Sequence, residues 1–69
     1  MSTTTTVTVT GMTCGHCASS VREEIGQIPG VTGVTVDLAS GRVDIDSTTD
    51  IDRTPIATAV DEAGYRLAD

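Results

Sequence analysis

The strongest constraint on the fold is the spacing of apolar residues, which switches between a two-residue period and a helical period along the chain. Residues 6–10 read TVTVT, and this strict alternation of β-branched residues predicts a strand with Val7 and Val9 on its buried side. Residues 17–28 instead predict a helix, because their apolar residues recur at intervals of four, four and three and form one stripe. The stripe consists of Cys17, Val21, Ile25 and Ile28. A Pro-Gly pair at 29–30 is expected to end this helix.

The middle of the chain returns to the two-residue spacing. Val34, Val36 and Leu38 alternate with polar residues, and so do Val43 and Ile45 a few positions later. Each run predicts a strand with one apolar side. The connection between them, Ala-Ser-Gly, is short and typical of a turn, so the two strands are expected to form an antiparallel hairpin.

The last third of the chain predicts a second helix and a short strand. Thr54 followed by Pro55 is typical of an N-cap and the first helical position. Gly64 is expected to end the helix, and residues 65–68 leave room for one more strand. The apolar residues of this helix are Ile56, Ala59, Val60 and Ala63.

The resulting order β-α-β-β-α-β is that of the ferredoxin-like sandwich, an α+β fold. Each predicted helix has one apolar stripe and each strand has one apolar side. We therefore expect a four-stranded antiparallel sheet with both helices on one face and a solvated opposite face. With 69 residues, the chain is expected to form a single domain, 1–69.

Charge and composition exclude several partners and substrates. The net charge is −6, with four Arg, no Lys and ten acidic residues, so nucleic acid and anionic membrane surfaces are not expected partners. No apolar run approaches the roughly 20 residues that span a bilayer, so we expect no membrane insertion. The first ten residues lack the basic and apolar regions of a signal peptide, which predicts a cytoplasmic protein with reduced thiols. The core contains no Phe or Trp and leaves no room for a large substrate pocket.

Residues 11–17, GMTCGHC, hold the only two cysteines and the only histidine of the chain. Cys14 and Cys17 lie where the first helix is expected to begin. The unpaired N–H groups and the positive dipole end of a helix favour the thiolate, which is the form that binds metals. Two metal–sulfur bonds of about 2.3 Å in line need sulfurs roughly 4.6 Å apart, which this spacing can supply with a small adjustment.

The ligand set indicates a soft metal ion. Structural zinc needs four ligands, and the chain has two Cys and one His. The residue before Cys14 is Thr13, so no carboxylate is present there to favour a harder divalent ion. Two thiolates at low coordination number suit Cu(I). Two other hypotheses remain open at this point: a dithiol oxidoreductase that uses the same CxxC, and a protein that handles zinc or mercury.

The segment GMTCGHC resembles the G-M-x-C-x-x-C motif of heavy-metal-associated domains. The resemblance extends over residues 5–68 and includes Pro29-Gly30-Val31 after the first helix and Gly64-Tyr65 before the last strand. It implies Cu(I) ligands at Cys14 and Cys17.

For the whole chain the resemblance implies a copper chaperone, not an enzyme. Such a protein delivers Cu(I) by thiolate exchange to a copper-transporting P-type ATPase. The alternative is the amino-terminal metal-binding domain of such an ATPase.

Three further residues of the motif region are candidates for supporting roles. The resemblance implies that Met12 packs under the loop and does not bind the metal. His16 is expected to be an exposed residue that modulates copper affinity, or a third ligand when two molecules share copper in a copper-bridged homodimer. Tyr65 is expected either to shield the site or hydrogen-bond a cysteine sulfur, or simply to pack against the edge of the sheet.

Overall fold

The computed structural model describes residues 2–68 and confirms the ferredoxin-like fold. The elements in chain order are β1 (Thr3–Thr10), α1 (Gly15–Gly26), β2 (Val31–Asp37), β3 (Arg42–Ser47), α2 (Arg53–Glu62) and β4 (Arg66–Leu67). The four strands form one antiparallel sheet in the order β2-β3-β1-β4.

The core lies between the two helices and one face of the sheet. The alternation in β1 places Val7 and Val9 inside, with 4% and 3% of their surfaces exposed. The other buried apolar residues are Val43 and Ile45 from β3, Val21 and Ile25 from α1, and Ile56, Ala59 and Val60 from α2. The helix-free face is polar, as expected. There the Thr4 and Thr6 hydroxyls donate hydrogen bonds to Asp46 and Asp44, at 2.8 and 2.9 Å.

Helix α1 begins two residues earlier than the spacing predicts and ends at Gly26. Cys14 is its N-cap residue, with an extended backbone (φ −156°, ψ 174°). Ile28 therefore lies outside the helix, although it still packs against the core. The apolar stripe identified the buried face correctly but extended past the helix, because the residues after the last turn also face the core.

Helix α2 begins at Arg53, with Asp52 as the N-cap residue, so the predicted N-cap at Thr54 is wrong. Pro55 is the third helical residue. Proline is tolerated there because the first four N–H groups of a helix have no partner within the helix.

Leu38 was expected on the buried side of the second strand, but β2 ends at Asp37. The Asp37 carboxylate accepts hydrogen bonds from the Ala39 N–H and the Ser40 hydroxyl, both at 3.1 Å. These bonds favour a turn over continued strand. Leu38 therefore lies on the turn, and 39% of its surface is exposed.

Three connections meet at one end of the sheet. Strand β1 ends at Thr10 and leads into the loop that carries the cysteines. Strand β3 starts at Arg42, opposite Thr8 of β1, and β4 starts at Arg66, opposite Thr10. The β2–β3 turn and the α2–β4 connection therefore flank the cysteine loop.

Two negative findings apply to residues 2–68. None of the helices in that range has both the length and the apolar character that crossing a bilayer requires. No pocket that could enclose a small-molecule substrate occurs in the same range.

Candidate metal centre

Cys14 and Cys17 are free thiols at the start of α1, and their sulfur atoms lie 3.5 Å apart. The Cys14 carbonyl accepts the N–H groups of Cys17 and Ala18, at 3.1 and 3.3 Å, and this first turn brings the two side chains together. Cys14 is exposed and Cys17 is half-buried. The pair is therefore open to solvent on the Cys14 side.

The surroundings of Cys17 favour its thiolate and lower its pKa from 9.0 to about 6. The largest cause is a hydrogen bond from the Thr13 backbone N–H, followed by hydrogen bonding from the Tyr65 hydroxyl. Partial burial opposes this shift in the pKa, and hydrogen bonding with Cys14 adds to it. The Thr13 hydroxyl is also 3.8 Å from the Cys17 sulfur. At neutral pH Cys17 is thus held in the form that binds a metal ion.

The position of Tyr65 depends on the end of α2. Gly64 has a positive φ of +92° and follows the last helical turn. Its N–H bonds to the Asp61 carbonyl at 2.9 Å, while the Tyr65 N–H bonds to the Val60 carbonyl at 3.0 Å. This is the hydrogen-bond pattern of a Schellman motif, and it fixes the direction in which the chain leaves the helix.

The Tyr65 ring lies against Gly11, at the start of the cysteine loop. A Cβ atom added to Gly11 would be 3.3 Å from the ring, and the φ of Gly11 is +91°. The pKa of Tyr65 is raised, chiefly by its hydrogen bonding with Cys17. Tyr65 therefore contacts the loop through its ring and interacts with Cys17 through its hydroxyl.

Met12 and His16 occupy different environments. Met12 is half-buried and packs against the core. His16 is the second residue of α1 and is exposed. Within residues 2–68, no three His, Cys, Asp or Glu side chains lie close enough together to share a metal ion. The structure therefore brings together Cys14, Cys17 and Tyr65 but does not add His16 to the thiol pair.

The two thiols fit one soft metal ion after a small movement. With the zinc–sulfur bond length of about 2.3 Å as a guide, two bonds in line would span about 4.6 Å, so the sulfurs must separate by about 1.1 Å from their spacing of 3.5 Å. Because Cys14 is exposed, its side chain can rotate outward without disturbing the core.

Sequence reasoning missed the contribution of Thr13. From the sequence, Thr13 was notable only because it places no carboxylate before Cys14. In the structure both the backbone N–H and the hydroxyl of Thr13 interact with Cys17. No pattern in the sequence marks this contribution, because Thr13 lies before the N-cap residue Cys14 and outside the helix whose first N–H groups are known to lack partners.

Comparison with known proteins places this fold and thiol pair in one family. The Heavy-metal-associated domain family matches residues 6–66. The chain therefore belongs to the heavy-metal-associated domain family.

Relatives in this family include a free-standing protein and a transporter. The chain is 38% identical over 64 residues to the copper chaperone CopZ of Bacillus subtilis, with 91% of this chain and 93% of that protein covered. It is 39% identical over 61 residues to a zinc/cadmium/lead-transporting P-type ATPase of Shigella sonnei, covering 88% of this chain but 8% of the transporter. A solved structure of a CopZ metallochaperone superimposes with a TM-score of 0.88 at 30% identity, covering 96% of this chain and 100% of that chain. The matched domain family is one of metal carriers, so the dithiol oxidoreductase hypothesis gains no support.

Proposed function

We propose that the protein is a cytoplasmic copper chaperone that carries one Cu(I) between Cys14 and Cys17. The observation that carries this proposal is the pair of free thiols, 3.5 Å apart at a helix N-terminus and open on one side. Low coordination by soft thiolates suits Cu(I) and leaves room for another ligand to enter. The similarity to the Bacillus subtilis copper chaperone over nearly the full length of both chains supports the proposal.

Transfer would proceed by ligand exchange. A thiolate of the acceptor protein approaches on the open side, where Cys14 is exposed. The ion then has three sulfur ligands until one thiolate of this chain leaves, and a second exchange of the same kind replaces the other thiolate. Because the pKa of Cys17 is about 6, its thiolate persists at neutral pH without taking up a proton. No bond of a substrate is made or broken, so the protein is not an enzyme.

The acceptor that we propose is a copper-transporting P-type ATPase. Part of a copper-transporting ATPase of Rhizobium meliloti is 37% identical to this chain, so the donor and acceptor sites would be of the same kind. A copper-bridged homodimer is a second proposed state, because the exposed loop of one molecule can meet the same loop of another. In the alternative, residues 1–69 are a single domain that forms the amino-terminal part of such a transporter. The metal site and the exchange of thiolate ligands are then the same.

The remaining assignments at the site belong to the same proposal. Cys14 and Cys17 are the ligands, while Met12 packs beneath the loop. Tyr65 supports the Cys17 thiolate from the second coordination sphere. His16 modulates copper retention from its exposed position on the first helical turn.

An anaerobic competition titration against a chromophoric Cu(I) chelator tests the function. Wild-type protein is expected to bind one Cu(I), and both Cys14→Ser and Cys17→Ser are expected to lose binding, because a single thiolate does not complete the site. Ser20→Ala is the matched control, since Ser20 is exposed on the same helix. If Cys14→Ser and the wild type retain copper equally, the proposal is wrong.

A second candidate is a zinc-handling protein, which the 39% identity to the zinc/cadmium/lead transporter favours. Zinc prefers four ligands in a tetrahedron, and residues 2–68 bring no third His, Cys, Asp or Glu to the two thiols. Copper is therefore the first choice. The same titration repeated with Zn(II) distinguishes the two, since a zinc protein would bind Zn(II) with a defined stoichiometry of one in the absence of other thiols.

A further inference from the structure

We infer that Gly41, in the turn between β2 and β3, is a positioning residue for the thiol pair. This inference rests on the proposed function, because it concerns how tightly the two thiols hold Cu(I). Gly41 has a φ of +78°, and a Cβ atom added to it would lie 2.6 Å from the carbonyl oxygen of Val9. The turn and the end of β1 are therefore in direct backbone contact.

Gly41 extends the pairing of β1 beyond the β1–β3 ladder. The last residue pair of that ladder is Thr8 with Arg42. One residue further, the Val9 N–H donates to the Gly41 carbonyl at 2.8 Å, and the Gly41 N–H donates to the Asp37 carbonyl at 2.8 Å. The turn thus holds β1 two residues before Gly11, where the cysteine loop begins.

Strand β4 holds the same segment from the other side. Val9 pairs with Leu67, and Thr10 pairs with Arg66. The Ala68 N–H donates to the Thr8 carbonyl at 2.8 Å. Because the end of β1 is held on both sides, a displacement at Gly41 cannot be absorbed by a sideways shift of the strand alone.

Contacts continue from this segment to the thiols. Gly11 follows Thr10 and lies against the Tyr65 ring, with a distance of 3.3 Å from an added Cβ atom to the ring. The Tyr65 hydroxyl interacts with Cys17. A shift of the Val9–Thr10 peptide therefore displaces both the start of the loop and the ring that contacts the site.

Among the described residues, Gly41 differs from the other glycines with positive φ. Those glycines are Gly11, Gly30 and Gly64. Only at Gly41 would an added Cβ meet a backbone atom within 3.0 Å. At Gly30, with φ +94°, the nearest atoms are the Thr49 and Thr48 hydroxyls at 3.4 and 3.5 Å.

Gly30 therefore offers a matched control. It precedes β2, whose first residue pairs with Ser47 at the end of the sheet remote from the cysteines. Alanine at either glycine imposes the same left-handed backbone on a residue with a side chain. Only the alanine at position 41 would also make a close contact with the backbone of β1.

An alanine at position 41 would displace the end of β1 by a distance that is large for a metal site. Carbon–oxygen contacts of this kind are usually no shorter than about 3.3 Å, so a methyl group on Gly41 must displace the Val9 carbonyl by about 0.7 Å. Binding constellations are held within about 0.5 Å of their working geometry. Disturbing the groups that support metal ligands typically weakens metal binding by about 10- to 100-fold.

The test is an anaerobic Cu(I) competition titration of the wild type, Gly41→Ala and Gly30→Ala, each checked for folding by circular dichroism. We expect Gly41→Ala to bind Cu(I) about tenfold more weakly than the wild type or worse. Gly30→Ala should stay within about twofold of the wild type, because its strain lies far from the site. Equal affinities for the two alanine variants would overturn the inference. A wild type that does not bind Cu(I) would instead refute the proposed function.

Amide hydrogen exchange on the wild type tests the same inference without a substitution. If the turn positions the thiols, binding at the thiols must in turn stabilise the turn, since coupling between two sites is reciprocal. The Val9 and Gly41 amides are then expected to exchange more slowly when Cu(I) is bound, while the amides of residues 30 and 31 keep their rates. If copper leaves the Val9 and Gly41 rates unchanged, the inference is wrong even where Gly41→Ala proves unable to fold.

Discussion

The ionisation of Cys17 gives the most detailed prediction for the metal-free protein. The pKa of this thiol is lowered to about 6, first by the Thr13 backbone N–H and then by the Tyr65 hydroxyl. Both groups stabilise the negative charge of the thiolate. The fraction of reactive Cys17 should therefore rise as the pH is increased through 6, well below the range in which ordinary thiols ionise.

The size of the effect follows from the pKa. At pH 7 a thiol with a pKa of about 6 is about nine-tenths ionised, whereas a thiol with a pKa of 9.0 is about one-hundredth ionised. Near neutral pH, Cys17 should thus be almost fully available as a thiolate. The absolute alkylation rate of Cys17 is a poorer measure of its ionisation than the pH dependence of that rate, because the intrinsic nucleophilicity of a thiolate falls as its pKa falls.

The assay is alkylation of the reduced, metal-free protein by iodoacetamide between pH 4 and 10, with the modified cysteine identified by peptide mass analysis. Cys17 is expected to show a midpoint near pH 6. Tyr65→Phe keeps the ring but removes the hydroxyl, and it should move the midpoint upward. Thr6→Val, on the helix-free face, is the control and should leave the midpoint in place. A wild-type midpoint above pH 8 would refute the reasoning from the Thr13 and Tyr65 interactions.

Three further substitutions test the core and the site separately. Ile25 is fully buried, so Ile25→Ala should lower the free energy of unfolding by about 2–5 kcal/mol in urea titrations, and a loss below about 1 kcal/mol would contradict the packing described here. Thr13→Asp places a carboxylate beside the thiols and should raise the affinity for Zn(II) relative to Cu(I) on the order of tenfold, as one added interaction of about 1.4 kcal/mol would, in parallel competition titrations. His16→Ala should speed the removal of Cu(I) by a chelator several-fold without changing the stoichiometry of one, and an unchanged rate and affinity would exclude a modulating role for His16.

Much of the fold could be predicted because its strands and helices have different apolar spacings. The TVTVT segment identified Val7 and Val9 as buried, and both are. The errors occur at element ends, where side-chain hydrogen bonds compete with the regular pattern. Leu38 continues the apolar alternation, yet the Asp37 carboxylate bonds to the next residues and ends the strand before it.

The candidate site was only partly predictable for a different reason. The two cysteines were identifiable because no other cysteines occur and their spacing is that of a known motif. The interaction of Tyr65 with Cys17 joins residues that are far apart in the sequence. It depends on the direction in which the chain leaves α2 at Gly64 and on the contact of the Tyr65 ring with Gly11, neither of which a linear pattern encodes.

X-ray absorption spectroscopy of the copper-loaded protein would identify the ligand atoms, which we expect to be two sulfur atoms of this chain. We expect a first coordination shell made of sulfur, with the sulfurs of Cys14 and Cys17 as the neighbours of the ion. The signal from this shell should disappear in a variant that lacks both thiols. A first shell made only of oxygen or nitrogen atoms would show that Cys14 and Cys17 are not the ligands.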